Sequence, residues 1–275
     1  MDRETLRTHA TRLRRRGVAD TVHIATYTEE PVCELRDQLE GIDADRAFVL
    51  PACVAHSHET IDAIPAALSY LDCEVRYCEP IGCRPELTAL VTERASKLLD
   101  PAGTTLVLVA LGSSSLPYHR QMAAYHATRI TERSEYENVV TCYLLQNPAV
   151  ECARYNVQTE QAVAVPLFLT RNETTDQRIP AKLELDRGGI ALADPFGEDQ
   201  RVTDAIHAEV VRQRILVDEG RTSRQQRSRD RWPSGASPWP PTAKEGTAET
   251  AVHPARTTST ERSEKGLSSR PVPPA

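Results

Sequence analysis

Residues able to do chemistry concentrate between Cys53 and Asp62. His56, His58, Glu59 and Asp62 follow an apolar run that ends near Val54. Side chains of an extended segment alternate in direction, so His56 and His58, two apart, would share a face. Two imidazoles on one face suit a borderline divalent metal, and imidazole also exchanges protons near neutral pH because its ordinary pKa lies near 6.5. Cys53 could add a soft ligand. The plainer reading is a surface histidine pair ahead of a helix whose first turn carries Glu59 and Asp62, acids that favour a helix N-terminus. Spacing alone leaves both readings open. His9, His23, His119, His126, His207 and His253 lack such company and read as structural or solvent-exposed.

A second candidate is the run Gly112, Ser113, Ser114 and Ser115, which follows a buried-type strand and opens a helix around Pro117. Backbone N–H groups at such a place can hold a carboxylate or phosphate, and His119 and Arg120 are near enough in sequence to help. Helix capping by serine is the alternative. No GK[ST] follows and there is no GxGxxG, so neither a P-loop nor a dinucleotide fingerprint is present. Cys73, Cys78 and Cys83 match no zinc or iron–sulfur spacing. The seven cysteines form an odd set without CxxC pairs and read as reduced, buried thiols.

The elements that must position these residues alternate. Apolar runs rich in β-branched residues fall at 21–27, 47–54, 74–78, 104–111, 139–145 and 162–169, with a weaker one at 189–193. Amphipathic stretches lie at 3–16, 32–39, 60–71, 85–99, 119–131, 148–157 and 200–216, and Pro85 and Pro148 suit first turns of helices. This alternation predicts an α/β fold, a doubly wound, mainly parallel sheet with helices on both faces. From about Gly220 the apolar periodicity stops. Eight of the 19 prolines and both tryptophans lie beyond it, so 220–275 is expected to be a disordered tail.

Charge separates the same two parts. The 275 residues carry a net charge of −6, but residues 221–275 hold 10 basic and 5 acidic residues while 1–220 carry −11. The acidic body argues against a nucleic-acid surface on the folded part. No apolar run approaches a membrane span, and the Arg-rich start is not followed by the apolar stretch of a secretory signal. A cytoplasmic protein is expected, and a homo-oligomer is compatible with the sequence.

The body is written twice. Residues 51–66 (PACVAHSHETIDAIPA) match 166–181 (PLFLTRNETTDQRIPA), and Pro80-Ile-Gly82 matches Pro195-Phe-Gly197, both at a spacing of 115. Tyr27 pairs with Tyr143, Pro31 with Pro148, and the His-Ala-Thr-Arg run at His9 recurs at His126. Two copies of an α/β unit of ~115 residues are expected: half 1 over 1–100, half 2 over 101–219. The strand 104–111 has no counterpart ahead of the first helix, so half 1 is expected to be short of its first strand. Either the natural start lies upstream or half 1 is compromised.

Together these features resemble the CbiX/SirB-type sirohydrochlorin cobaltochelatases of the class II chelatase group. The resemblance rests on Leu111-Gly112-Ser113, Asn147-Pro148, Pro166-Leu-Phe-Leu169, Ile179-Pro180, Pro195-Phe-Gly197 and Asp204-Ala-Ile206. In half 1 it rests on Leu50-Pro51, Ile64-Pro65 and Pro80-Ile-Gly82. It implies insertion of Co²⁺ as the divalent metal substrate, with Fe²⁺ or Ni²⁺ in some relatives, into a carboxylate-rich tetrapyrrole in cobalamin or sirohaem-type biosynthesis. It also implies two catalytic histidines in a cleft at the carboxyl ends of strands. One of these positions falls on Leu111; the other falls on Glu59 in half 1 and Thr174 in half 2, with His58 one residue away. Carried over to this chain, the resemblance makes His58, His56 and Glu59 the catalytic candidates and His56 and His58 the metal ligands. Gly112 to Ser115 become contacts for tetrapyrrole carboxylates. Two alternatives remain: a non-catalytic tetrapyrrole- or metal-binding relative, and a metal-binding regulator using Cys53, His56 and His58 with the basic tail on nucleic acid.

Overall fold

The computed structural model describes residues 3–229, with side chains described to residue 218. Helix α1 (Arg3–Arg15) is followed by α2 (Pro31–Leu39), strand β1 (Arg46–Val49), a π turn (Glu59–Ala63) running into α3 (Ile64–Leu68), β2 (Glu74–Tyr77) and α4 (Pro85–Ser96). The second half runs β3 (Thr104–Ala110), α5 (Tyr118–Arg133), β4 (Asn138–Tyr143), α6 (Ala153–Asn156) and β5 (Gln161–Pro166). It then forms a second π turn (Thr174–Arg178) with α7 (Ile179–Lys182), β6 (Ile190–Leu192) and α8 (Gln200–Arg229). All strand pairs are parallel, in a two-stranded sheet β1-β2 and a four-stranded sheet β4-β3-β5-β6.

The buried central strand β3 explains the doubly wound arrangement. Every one of its residues is buried, as a parallel strand covered on both faces requires. Leu106, Leu108 and Ala110 join the cluster with α4, α5 and α8, through Leu87, Leu90, Met122, Val202 and Ala205. Val107 and Val109 pack the other way, against Val150, Ala153, Ile179 and Leu183.

The two halves repeat in structure with the 115-residue offset. The π turns begin at Glu59 and Thr174. The edge pairs share a register, Ala47 opposite Val75 and Ala162 opposite Ile190. The halves also exchange helices: α4 of half 1 contributes to the core over the four-stranded sheet, while Val210 of α8 packs with Leu13, Val18 and Phe48 of half 1.

One expected strand is absent. Residues 21–27, at the place of β4, form no ladder. A parallel strand is held by its neighbour's backbone, and in half 2 that neighbour is β3. Among the described residues half 1 has nothing in that place, and β1 stays half-buried where its counterpart β5 is buried. Three further expectations change. The stretch 148–157 is a 3₁₀ turn (Val150–Cys152) and the short α6, preceded by a cis Asn147–Pro148 bond, so Pro148 does not open a helix. Helix α8 continues to Arg229, past the expected onset of disorder, because 221–229 contains neither Pro nor Gly and is rich in helix-tolerant Arg and Gln. The rest of the expected tail, 230–275, lies outside the described residues. Finally, Cys78 and Cys142 are buried, but Cys33, Cys83 and Cys152 are exposed, on helix and turn positions the apolar pattern does not cover.

Candidate functional site

The loops at the carboxyl ends of β1 and β3 meet. His58 Nε2 lies 3.0 Å from Ser115 Oγ, so the two candidate segments face each other across the halves. His58 is exposed and has helical dihedrals, immediately ahead of the π turn. The segment is therefore not extended through His58, and the two histidines turn to different partners rather than sharing a face.

His56 is held on several sides. Its Nε2 donates to Glu79 Oε2 at 3.0 Å, which leaves Nδ1, 3.0 Å away, to face the Thr60 hydroxyl. Its ring stands edge-on to Tyr118 at 5.2 Å. Thr60 is fastened in turn: Ser57 N–H donates to its Oγ1, and Tyr77 Oη donates to its carbonyl. Glu79 N–H donates to the buried Glu209 carboxylate, which Arg212 and Arg84 neutralise. Glu79 directly precedes the repeated Pro80-Ile-Gly82 turn, but nothing in its sequence surroundings links it to a residue 23 positions earlier. It is the partner that sequence reasoning missed.

Half 2 has the same construction in other residues. Arg171 and Asp194, each 115 positions beyond His56 and Glu79, form an ion pair. Thr175 repeats the role of Thr60, accepting from Asn172 N–H at 2.9 Å. Where half 2 carries a permanent guanidinium, half 1 carries an imidazole, whose proton can be exchanged.

Glu59 accepts from Ser57 Oγ at 2.5 Å, and this bond holds its carboxyl below the ordinary range. Burial pushes the Cys53 thiol up to about 12, so it is a protonated thiol beside Tyr27 and Tyr77. Among the described residues no group of three or more His, Cys, Asp or Glu is placed to enclose a metal.

In the serine loop Gly112 has φ +80°, and a Cβ there would meet Gln146 and Tyr143 at 2.8 and 2.9 Å. Three of the backbone donors expected to face an anion are spent inside the loop. Ser113 N–H donates to Gln146 Oε1, and Ser113 Oγ accepts from Ser115 and Leu116 N–H. Ser114 and Ser115 are exposed, and the Ser115 hydroxyl is the group of this loop that meets His58. Arg120 donates to Asn147 O at 2.8 Å. His119 is buried, its Nδ1 without a partner among the described residues, and desolvation lowers its pKa.

Two parallel α/β halves, with loops from the carboxyl ends of β1 and β3 meeting over the seam, define a protein of the class II chelatase type. The chain belongs to the CbiX family, whose profile matches residues 2–98 and again 105–213. It is 24% identical over 201 residues to the probable sirohydrochlorin cobaltochelatase of Halobacterium salinarum, an alignment covering 63% of this chain and 68% of the relative. Among solved structures it resembles SirB from Bacillus subtilis with Fe³⁺, at a TM-score of 0.63 and 17% identity over 76% of this chain and 88% of SirB. It also resembles DR2241 from Deinococcus radiodurans, a multi-domain protein with structural similarity to chelatases, at a TM-score of 0.62 and 22% identity over 75% of this chain. The match spans half of DR2241, 50% of that chain. At these identities the structural likeness concerns the fold alone. No helix among the described residues is long and apolar enough to cross a membrane.

Proposed function

We propose that this protein is a metallochelatase that inserts a divalent metal, Co²⁺ first among the candidates, into a sirohydrochlorin-like tetrapyrrole. The observation that carries this reading is the 3.0 Å approach of His58 to Ser115, which joins the imidazole loop of half 1 to the hydroxyl loop of half 2. Family membership and the curated relative of Halobacterium salinarum support the same reaction class.

Insertion exchanges two pyrrole N–H protons for one metal ion, so the protein must deliver the metal and take up protons at the ring. His56, through the Nδ1 that faces Thr60, and His58 are assigned to the metal; once the ion has passed to the ring, the freed His58, exposed at the loop tip, takes one pyrrole proton and solvent takes the other. Glu59, an anion held by Ser57, places negative charge beside the loop for an incoming cation. Ser113, Ser114 and Ser115, on the turn that Gly112 permits, offer hydroxyls to the carboxylate arms of the macrocycle. A cobalamin or a sirohaem product follows from which metal is accepted.

The test mixes purified full chain with sirohydrochlorin and Co²⁺, Fe²⁺ or Ni²⁺ and follows the absorbance change of insertion. A clear preference for Co²⁺ over the uncatalysed rate is expected, and the double variant His56→Ala, His58→Ala should fall to the uncatalysed rate. Insertion by that variant at the parental rate refutes the site. Tight binding of tetrapyrrole without insertion by the parent would support the second reading, a non-catalytic carrier, which Leu111 in place of a family histidine favours.

A further inference from the structure

Two histidines outside the site lock the halves together by the same device used twice. His126 of α5 donates from Nε2 to Gly82 O at 2.7 Å, and its Nδ1 lies 2.8 Å from Thr88 Oγ1 of α4. His9 of α1 donates from Nε2 to Gly197 O at 3.1 Å, and its Nδ1 lies 2.8 Å from Thr203 Oγ1 of α8. Gly197 and Thr203 stand 115 positions beyond Gly82 and Thr88, and His126 stands 117 beyond His9. Each histidine thus grips the other half, and the two grips are related by the exchange of halves.

What each grip holds is a site loop. Gly82 lies three residues after Glu79, the partner of His56, and Gly197 three residues after Asp194, the partner of Arg171. Gly82 is packed so closely that a Cβ would sit 1.7 Å from Val54 O, at the start of the His56 loop. Burial disfavours the charged form of both rings, so each is the neutral Nε2–H form, with Nδ1 accepting the threonine hydroxyl hydrogen. Both histidines are buried, and Thr203 is buried with them.

We propose that His9 and His126 are a reciprocal pair of neutral-imidazole latches through which each half holds the other's site loop, and that protonation at Nδ1 releases both loops. A proton taken from solvent leaves a buried cation that only a carbonyl and a rotated threonine hydroxyl solvate, and opening the contact returns that charge to water.

The two latches are set differently. Arg12, on the same helix, opposes a charge on His9, while Glu198 and Asp199 of the held segment favour it. His126 has Arg129 of its own helix and the ring of Tyr125 at 5.2 Å beside it, and no carboxylate acts on it among the described residues. The His9 latch, holding the Asp194 loop, therefore opens at a higher pH than the His126 latch, holding the Glu79 loop.

The test uses the full chain without metal or tetrapyrrole, so it does not depend on the chelatase reading. Amide hydrogen exchange is followed from pH 7 to pH 4 and corrected for the intrinsic rate. Protection of 194–199 and then of 79–84 is expected to fall by roughly 10-fold or more while 104–110 stays protected. The double variant His9→Gln, His126→Gln, which keeps an amide donor and does not titrate, should lose that pH dependence. Should it fail to fold, imidazole ¹⁵N resonances of the parent decide: each Nδ1 must be unprotonated at pH 7 and gain its proton together with exchange in the opposite half's loop. Loops that stay protected to pH 4, protonation without loop exchange, or simultaneous loss of 104–110 overturns the proposal.

Discussion

His58 Nε2 and Ser115 Oγ lie 3.0 Å apart although 57 positions separate them in the chain. One ends the loop after β1, the other sits in the loop after β3, and the two halves must dock before either has its partner. The Ser115→Ala variant removes the hydroxyl at an exposed position, so stability should change by less than about 0.5 kcal/mol. Its metal-insertion rate at saturating tetrapyrrole should fall by roughly 10-fold, as expected when a proton acceptor loses its orientation. Stopped-flow absorbance measures this, and an unchanged rate would show that the Ser115 hydroxyl does not orient His58 for the reaction.

Glu79 anchors His56 from the surface, its side chain 65% exposed. The Glu79→Gln variant keeps the shape and removes the charge. Co²⁺ affinity, read by titration calorimetry on the protein alone, should weaken by about 10-fold. Arg171→Ala, at the matching place in half 2, should leave it unchanged. Equal weakening by both variants would point to a general charge effect instead of a site at His56.

Gly82 is required for a different reason. A methyl group there would overlap the Val54 carbonyl at 1.7 Å, a backbone atom that cannot swing aside. Gly82→Ala should cost about 3 kcal/mol or more in thermal or denaturant unfolding, whereas Gly41→Ala, with nothing within 4 Å but φ +83°, carries only the strain of its left-handed backbone, about 1 kcal/mol.

Burial lowers the pKa of His119 and leaves its Nδ1 unpartnered among the described residues. A lowered folded-state value means that the unfolded chain binds the extra proton first. The neutral ring is tolerated above the ordinary histidine value near 6.5, and stability is lost as pH falls from there through the folded-state value. His119→Leu removes both the orphaned nitrogen and this loss. It should raise stability at pH 7 by about 1 kcal/mol, and by more at pH 5. Denaturant unfolding at the two pH values checks it; an equal gain at both would show that the ring does not titrate with folding.

Much of this arrangement is legible in the order of residues. The apolar runs 104–111 and 162–169 mark β3 and β5 because a strand buried on both faces needs continuous apolar residues. The repeat at 115 places both π turns and the matching registers. The recurrence of His-Ala-Thr-Arg at His9 and His126 also stands out in the sequence, but its meaning does not, since Gly197 and Gly82 lie 188 and 44 positions away from their histidines.

Periodicity records how a residue relates to its own helix or strand, so the sequence by itself determined the alternating elements, the duplication and the concentration of imidazoles at His56 and His58. A strand needs a neighbour's backbone, and a polar side chain takes whichever partner the docked halves bring within hydrogen-bond reach. Only the tertiary structure could therefore leave 21–27 without a ladder, give His56 to Glu79 and His58 to Ser115, and turn two ordinary histidines into links between the halves.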